Sequence, residues 1–366
     1  MKAKLSTIII LAGFYCTSIL TSCNQNNPQP NTNSSSSHYW EAATPFPGTS
    51  GHHPSGNTPN RGIKCMVSYN NELIIGGNFT NVGGIVAHSI AKWNGVNWSN
   101  IGIGNLLNTE VIDMVVYNNK LYFTADKLYV WDGSILSEFN YTNPNNINSF
   151  LYGTDLHVFN GKLHVLSSNG IYTYDGNNVS LIQGISGYCL SDLNNILYCG
   201  GDDGVSKYEN NVWTSVNGIT TFPPSILNMK TYNNELYVLG DFNTIGGLTI
   251  NNNLAKYNGT SWSIVNIPLI AYPETFLYSG YNKGLNHMNV INNELYLTHS
   301  FYNNGEINHS PTIKYNGVSW TPLAQNYSNY GACVHLHNNT LYCGGSMSMW
   351  GTTTGFQDLG DLVKLN

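Results

Sequence analysis

The dominant pattern along the chain is a pair of short apolar runs joined by Asn-Asn or Asn-Gly, and it occurs seven times. A clear copy is Tyr-Asn-Asn-Glu-Leu-Tyr-Val at residues 232–238. Asn and Gly tolerate the positive φ angles that a two-residue type I′ turn requires. Each copy therefore predicts a tight hairpin of two antiparallel strands. The seven turns are Asn70-Asn71, Asn118-Asn119, Asn160-Gly161, Asn194-Asn195, Asn233-Asn234, Asn292-Asn293 and Asn338-Asn339.

The turn also predicts the register of each hairpin. With the second turn residue as position zero, a two-residue turn places position −5 opposite position +4. Both positions are apolar in every copy, and position +2 is always Leu. One face of each hairpin is therefore expected to be buried. The expected pairs are Met66 with Ile75, Met114 with Phe123, Leu156 with Val165, Leu190 with Cys199, Met229 with Val238, Met288 with Leu297 and Val334 with Cys343.

A second signature follows most hairpins: an aromatic residue, a turn such as Asn-Gly or Asp-Gly, and in several copies a Trp. Residues 91–98 read Ala-Lys-Trp-Asn-Gly-Val-Asn-Trp. The aromatic residue ends a third strand and the Trp begins a fourth, so each unit predicts a four-stranded antiparallel sheet. Successive hairpin turns lie 34 to 59 residues apart, from Gly161 to Asn195 and from Asn234 to Asn293 at the extremes. Repeats of about 40–50 residues with four strands are typical of a β-propeller. We predict an all-β fold, a seven-bladed β-propeller.

The two ends of the repeat region complement each other. The last unit has a hairpin and a third strand at residues 362–366, but no fourth strand follows. Tyr39-Trp40 resembles a fourth strand that no hairpin precedes. We therefore predict that residues 38–46 complete the last blade and close the ring.

Residues 1–22 have the features of an export signal. Lys2 and Lys4 precede an apolar stretch from Ile8 to Leu20. The Leu-Thr-Ser-Cys at residues 20–23 resembles the lipobox of bacterial lipoproteins. That resemblance implies cleavage before Cys23 and a lipid on Cys23, which would anchor an exported protein to the cell-envelope membrane; an ordinary signal peptide is the alternative. Residues 23–37 contain almost only small polar residues and Pro, which favours a disordered tether. We expect residues 38–366 to form the propeller.

One family resemblance is visible in the repeats. Gly-Gly-Asn-Phe-Thr-Asn-Val-Gly-Gly at residues 76–84, followed by Trp93-Asn94-Gly95 and Trp98, resembles kelch-like propeller repeats of the fungal cortical polarity-marker type. Residues 240–247 with Trp262 are similar. The resemblance covers roughly residues 60–366 and is weakest in units two to four. It implies the propeller fold and no single activity.

Composition narrows the function classes. Charged residues make up 9% of the chain, the net charge is −6, and no basic patch is present, so a nucleic-acid partner is not expected. We expect no cofactor, and we expect a monomer. The sialidase box Ser-x-Asp-x-Gly-x-x-Trp, the Gly-x-Ser-x-Gly elbow and His-Glu-x-x-His are absent. We therefore favour a binding module for a glycan, peptide or protein. The alternative is a hydrolase or lyase acting on polysaccharide, which would need carboxylates about 5–10 Å apart at the channel mouth.

Position −6 of the innermost strand is more polar than position −5, and we predict that it lines the axial channel. Such a ring of side chains could hold an ion. A channel in which water satisfies the polar groups is the alternative. The residues are Cys65, Asp113, Asp155, Cys189, Asn228, His287 and Cys333.

Long loops are expected on one half of one face of the disc. Units one, five, six and seven have long connections between their second and third strands, and residues 268–284 form a long link between units five and six. Aromatic residues on loops of a rigid scaffold are suited to ligand recognition; packing beneath their own loops is the alternative. The candidate binding residues are Phe79, Tyr272, Phe276, Tyr281, Phe301, Tyr302, Met347, Met349 and Trp350.

Two cysteine pairs, Cys189/Cys199 and Cys333/Cys343, suggest disulfides in an exported protein. The predicted register opposes this, because Cys199 lies opposite Leu190, and Cys189 then points to the other face. We predict that these cysteines are free thiols in the core.

Overall fold

The computed structural model describes residues 40–42, 62–101, 109–140, 153–217, 225–250, 253–267, 284–300, 312–323, 327–349 and 357–365. All regular secondary structure in these ranges is β-strand. The described ranges contain no helix with the length and apolarity needed to cross a membrane.

The strands form seven four-stranded antiparallel sheets, which we number as blades one to seven. The closing strand is β1 (Trp40–Ala42). Blade one contains β2 (Gly62–Tyr69), β3 (Glu72–Asn78), β6 (Ile90–Trp93) and β7 (Trp98–Ser99), with the inserted hairpin β4 (Asn81–Val82) and β5 (Ile85–Val86). Blade two contains β8 (Asp113–Tyr117), β9 (Lys120–Thr124), β10 (Leu128–Trp131) and β11 (Leu136–Glu138). Blade three contains β12 (Gly153–Phe159), β13 (Lys162–Ser167), β14 (Gly170–Tyr174) and β15 (Val179–Ile182).

The remaining blades follow in chain order. Blade four contains β16 (Cys189–Leu193), β17 (Ile196–Gly201), β18 (Gly204–Glu209) and β19 (Val212–Ser215). Blade five contains β20 (Ser225–Tyr232), β21 (Glu235–Asp241), β24 (Leu254–Tyr257) and β25 (Trp262–Ile264), with the inserted hairpin β22 (Thr244–Ile245) and β23 (Leu248–Thr249). Blade six contains β26 (Gly284–Ile291), β27 (Glu294–Ser300), β28 (Ile313–Tyr315) and β29 (Trp320–Pro322). Blade seven contains β30 (Tyr327–His337), β31 (Thr340–Met349) and β32 (Gln357–Leu365), completed by β1.

The blades form a closed ring around one axis. The first strand of each blade packs against the first strand of the next blade, and β30 of blade seven packs against β2 of blade one. The predicted seven-bladed β-propeller is confirmed. Its apolar core lies between adjacent blades, and the Leu side chains at position +2 are buried in all seven hairpins.

The Asn turns have the predicted geometry. In blade five, Asn233 and Asn234 have φ angles of 49° and 57°, and every other hairpin turn likewise has two residues with positive φ. All seven predicted pairs between positions −5 and +4 are present. The turn chemistry therefore determines which side chains face each neighbouring blade.

The turns also join neighbouring blades. Tyr69 of blade one donates its hydroxyl to the carbonyl of Asn119 in blade two at 2.8 Å, and Tyr117 donates to Gly161 of blade three at 2.9 Å. Gly133 has a φ of +97° and lies so near this contact that a Cβ would stand 2.8 Å from Nδ2 of Asn70. Glycine at this turn therefore meets both a conformational and a steric requirement.

The N-terminal strand closes the ring as predicted. In β1, Trp40 lies opposite Leu365 and Ala42 lies opposite Val363. Leu365 in turn lies opposite Leu341, which follows the Asn338-Asn339 turn closely. At the seam between blades seven and one, Oγ of Ser68 lies 2.8 Å from Nε2 of His335.

The five cysteines in the described ranges are buried and form no disulfide with one another. Leu190 lies opposite Cys199 and Val334 lies opposite Cys343. The prediction that neither cysteine pair is bridged is confirmed.

Removing the closing strand should destabilise the ring. Deletion of residues 38–46 leaves β32 with an unpaired edge, because β1 supplies its outer hydrogen-bond partner. We expect the melting temperature, measured by calorimetry, to fall by several degrees. Deletion of residues 24–37 is the matched control and should leave it unchanged; equal melting of both deletion variants would contradict closure by β1.

The Asn turns give a second test. Asn234 has a φ of 57°, a left-handed conformation in which a β-branched residue is strained. We expect Asn234→Val to cost about 1–2 kcal/mol of unfolding free energy, measured by urea denaturation. Asn234→Gly removes the same amide without that strain and should cost less; the reverse order would argue against the type I′ turn.

Candidate functional site

The two faces of the disc differ. In each four-stranded antiparallel blade, the first–second and third–fourth turns lie on one face, which we call the turn face. The second–third connections and the links between blades lie on the opposite face, which we call the loop face. The first–second turns contain two residues each, whereas the larger insertions, including the hairpins β4–β5 and β22–β23, lie on the loop face. A recessed site has more room on the loop face.

The loop of blade one is a compact hairpin, and Phe79 is a core residue within it. Phe79 is fully buried beside Val82 and Ala87, and its carbonyl accepts a hydrogen bond from the amide of Ser89. Phe242 occupies the same place in blade five and is also buried. The prediction that Phe79 is an exposed binding residue is therefore wrong, because the side chain holds the loop onto its own blade.

Of the other candidate binding residues, the structure describes only the backbone of Met347 and Met349. Tyr272, Phe276, Tyr281, Phe301, Tyr302 and Trp350 lie outside the described residues. Met347 and Met349 lie in β31, opposite Asn329 and Tyr327. Their side chains stay predictions as ligand contacts.

Blade seven differs from what its sequence predicts. Segment 346–359 reads as a loop, but β31 continues to Met349 and β32 begins at Gln357. The strands β30, β31 and β32 contain 11, 10 and 9 residues, so the sheet extends towards the loop face beyond the ends of shorter blades such as blade two. We call residues 327–330, 346–349 and 357–359 the blade-seven extension. It forms a strand-paired wall, with register shifts around Met347, on the half-face where the sequence predicts the long loops.

Near the axis, two aspartates of neighbouring blades form a carboxyl pair. Asp113 accepts a hydrogen bond from the amide of Leu156 in blade three at 2.8 Å. Asp155 accepts one from the amide of Leu190 in blade four at 2.7 Å. The two carboxyl groups are also close enough for the charge of Asp113 to raise the pKa of Asp155. Each of these two aspartates thus links its own blade to the innermost strand of the next blade by a hydrogen bond.

This pair favours binding a proton. Burial raises the pKa of Asp113, although the Leu156 amide and the charge of Lys230 act against it. Burial, followed by the charge of Asp113, raises the pKa of Asp155 well above its usual range. Two neighbouring carboxylates resist double ionisation, so their mutual repulsion adds to the effect of burial on the pKa of Asp155.

Lys230 joins the position −6 residues near the axis, among them His287, and the position −6 pattern did not reveal it. Lys230 lies at position −4 of blade five, and its positive charge lowers the pKa of both aspartates. Burial, with a smaller contribution from Lys230, lowers the pKa of His287 to about 3, so its imidazole is neutral at neutral pH. Among the described residues, Nδ1 of His287 and Oδ1 of Asn228 have no hydrogen-bond partner. Comparison of the seven repeats could have revealed Lys230, because position −4 is Val, His, Ser or Asn in the other six copies.

The three cysteines at position −6 lie between blades. Cys65, Cys189 and Cys333 are each buried. Each faces a glycine of its own second strand; for example, a Cβ at Gly344 would lie 2.9 Å from Sγ of Cys333 and 2.7 Å from a methyl of Ile63 in blade one. These thiols therefore fill the space opposite the glycines, and the prediction that they line the axial channel stays a prediction.

The axial group offers limited chemistry. In the described part of the chain, no three His, Cys, Asp or Glu side chains gather in a way that could hold a metal ion. Asp113 and Asp155 each accept a backbone amide of the next blade, a structural role that does not favour the acid/base pair that the polysaccharide-acting alternative needs.

The fold and this axial group define a seven-bladed β-propeller whose inner blade contacts are partly polar. No protein family model matches the chain, and no curated protein matches it in sequence. Among solved structures, virginiamycin B lyase from Staphylococcus aureus is 12% identical with a TM-score of 0.53, over 90% of this chain and 98% of that chain. YCF48 bound to D1 peptide is 12% identical with a TM-score of 0.51, over 86% and 97%. A chain of the Mitotic Checkpoint Complex is 11% identical with a TM-score of 0.51, over 95% and 98%. These likenesses show the propeller fold.

Neutralising the carboxyl pair should stabilise the propeller at neutral pH. The folded-state pKa of Asp155 is raised, so the pair's favourable contribution is present at low pH and is lost as the pH rises through that raised pKa. We expect Asp155→Asn to increase the unfolding free energy at pH 7 by on the order of 1 kcal/mol, because the amide removes the cost of a second buried negative charge. The gain should shrink as the pH is lowered, as measured by urea denaturation between about pH 4 and pH 8.

Asp175→Asn is the matched control for charge. Asp175 is exposed, and the amides of Asn178 and Asn177 lower its pKa. Its neutralisation should therefore slightly destabilise the protein at pH 7. If both substitutions changed stability in the same direction, the carboxyl pair would not be the source of the effect.

Proposed function

We propose that this propeller is a binding module of the cell envelope that holds a glycan, peptide or protein ligand on the loop face. The observation that carries the proposal is the contrast between the faces. The turn face is closed by two-residue turns, whereas the loop face carries the inserted hairpins and the blade-seven extension. Recognition on a rigid scaffold commonly uses such insertions.

The blade-seven extension adds a backbone argument. β30 is the innermost strand of its sheet and pairs with β31 on one side only. A β-bulge between Gly331 and Cys333 separates the regular inner strand from residues 327–330. An unpaired strand edge of this kind offers hydrogen-bond donors and acceptors to an extended chain. This supports a peptide segment as one form of ligand.

The stable loop hairpins favour binding over catalysis. Phe79 and Phe242 hold the loops of blades one and five onto the core, and the amide of Ala87 closes its loop on the carbonyl of Thr80. Such loops provide a preorganised surface, which lowers the entropic cost of binding. The carboxyl pair near the axis, Asp113 and Asp155, binds backbone amides of the next blades and does not favour the hydrolase alternative.

The location of the module is part of the proposal. The Leu-Thr-Ser-Cys at residues 20–23 supports export and lipid attachment at Cys23, with residues 23–37 as the tether. The kelch-like repeat resemblance is compatible with an envelope protein of this kind and stays an interpretation of the sequence.

The ligand site can be tested by single substitutions. A glycan array and an envelope lysate, applied to the purified protein, would identify a ligand. We expect Tyr281→Ala, Tyr302→Ala or Trp350→Ala to weaken its retention by about 1–3 kcal/mol, the range for loss of a large aromatic contact at a binding hot spot. Val318→Ala on the turn face is the control and should bind as wild type. Unchanged binding by all three loop variants, with loss on the turn face, would contradict the proposal.

A further inference from the structure

The register of blade seven shows which face the chain enters. Trp40 lies opposite Leu365, and Leu365 lies opposite Leu341, which closely follows the turn at Asn338-Asn339. Trp40 is therefore at the turn-face end of β1, and Ala42 is nearer the loop face. Any segment that joins Cys23 to the propeller must reach it at the turn face.

Four exposed aliphatic side chains lie on this same face. Each is in or beside the third–fourth turn of its blade, and their exposed fractions are between 56% and 89%. In blade six the backbone of this turn is held by Oδ1 of Asn316, which accepts hydrogen bonds from the amides of Val318 and Ser319. Thr260 occupies the place of Val318 in blade five, where Asn258 makes the same bonds. The turn therefore does not require an apolar side chain for folding. The four residues are Val96, Ile135, Val212 and Val318.

The turn face is close to electrically neutral. Lys120 and Lys162 are exposed beside the hairpin turns of blades two and three, and Asp132 and Asp175 are exposed in the third–fourth turns of the same blades. Contact with a surface would therefore depend on apolar side chains and not on attraction to anionic groups. Other charges near the turns form ion pairs within their own blades: Lys92 with Glu72, Lys207 with Glu209, Lys256 with Glu235 and Lys314 with Glu294.

The length of the connecting segment favours one orientation. About 16 residues lie between Cys23 and Trp40. A flexible chain of that length has a root-mean-square span of about 20–24 Å. An eight-residue strand such as β2 spans about 26 Å, which approximates the thickness of the disc. A tether attached at the turn face therefore keeps that face within reach of the anchor, whereas presenting the loop face would require the tether to run along the side of the disc.

We infer that the turn face rests on the lipid bilayer surface, with Val96, Ile135, Val212 and Val318 in contact with the interfacial region. The loop face then points away from the membrane. This inference rests on the lipid attachment at Cys23 that forms part of the proposed function, and it adds the direction in which the binding face is presented. Exposed aliphatic side chains beside a covalent lipid add a weak second contact that orients a protein on a membrane.

The test uses the full-length lipidated protein in phosphatidylcholine vesicles. A fluorophore is attached at Val318→Cys on the turn face or at Val86→Cys on the loop face, where Val86 is also exposed. The five native cysteines of the described ranges are buried and should remain unlabelled. We expect quenching by a nitroxide lipid to be at least about twofold stronger at position 318 than at position 86. Because the turn face is neutral, added phosphatidylglycerol or about 0.5 M salt should not change this ratio.

A second set of variants tests the aliphatic residues themselves. With the fluorophore at Thr260→Cys, changing Val96, Ile135, Val212 and Val318 together to Asp should remove the quenching. Changing Val86 and Leu227, exposed residues outside the turns of the turn face, to Asp should leave it unchanged.

Three outcomes would overturn the inference. One is equal or stronger quenching at position 86. Another is protection of position 318 in native envelope membranes but not in pure lipid, which would mean that a protein covers the turn face. The third is absence of lipid on Cys23 by mass spectrometry together with no vesicle binding. Ligand retention, measured separately on the same full-length protein in detergent, reports on the loop-face site whichever of these results is obtained.

Discussion

The structure depends on one backbone constraint, a two-residue turn in which both residues have positive φ. Asn233 and Asn234 meet it in blade five, and Asn160 with Gly161 meets it in blade three. Because this turn allows only one register, it determines which side chains of the innermost strand face the preceding blade and which face the next. The buried faces, the position −6 contacts and the tyrosine hydrogen bonds between blades all follow from that register.

The sequence predicted the structure correctly where local chemistry allows few backbone conformations. The turn residues predicted the hairpins, their register and the absence of disulfides among the described core cysteines, and the missing fourth strand predicted the closing role of Trp40. The predictions were wrong where tertiary packing determines the structure. Phe79 lies in a loop sequence yet fills a core position. β31 continues through a Gly-Gly-Ser-Met segment whose composition is typical of a loop. Lys230 was missed because its charge stands out only when position −4 is compared across all seven repeats.

The axis illustrates how a repeated position acquires different roles. At position −6, Cys333 faces Gly344 and packs against Ile63, an apolar solution to the gap between blades. Asp113 and Asp155 instead bind backbone amides of the next blade. The aspartates satisfy backbone amides that would otherwise need water, although burial raises the pKa of their carboxyl groups. The cysteine instead gains dispersion contacts. Both preserve the ring, so the repeat tolerates either chemistry.

Closure by β1 has a consequence for the timing of folding. Trp40 and Leu365 pair although they lie at opposite ends of the propeller sequence. Contacts of such long sequence separation are formed late, because the entropy of ordering the intervening chain must be overcome first. The early blades can form their hairpins during synthesis, but blade seven cannot be completed until β32 has been synthesised. Until then β1 has no partner, and its unpaired edge can pair with strands of other chains.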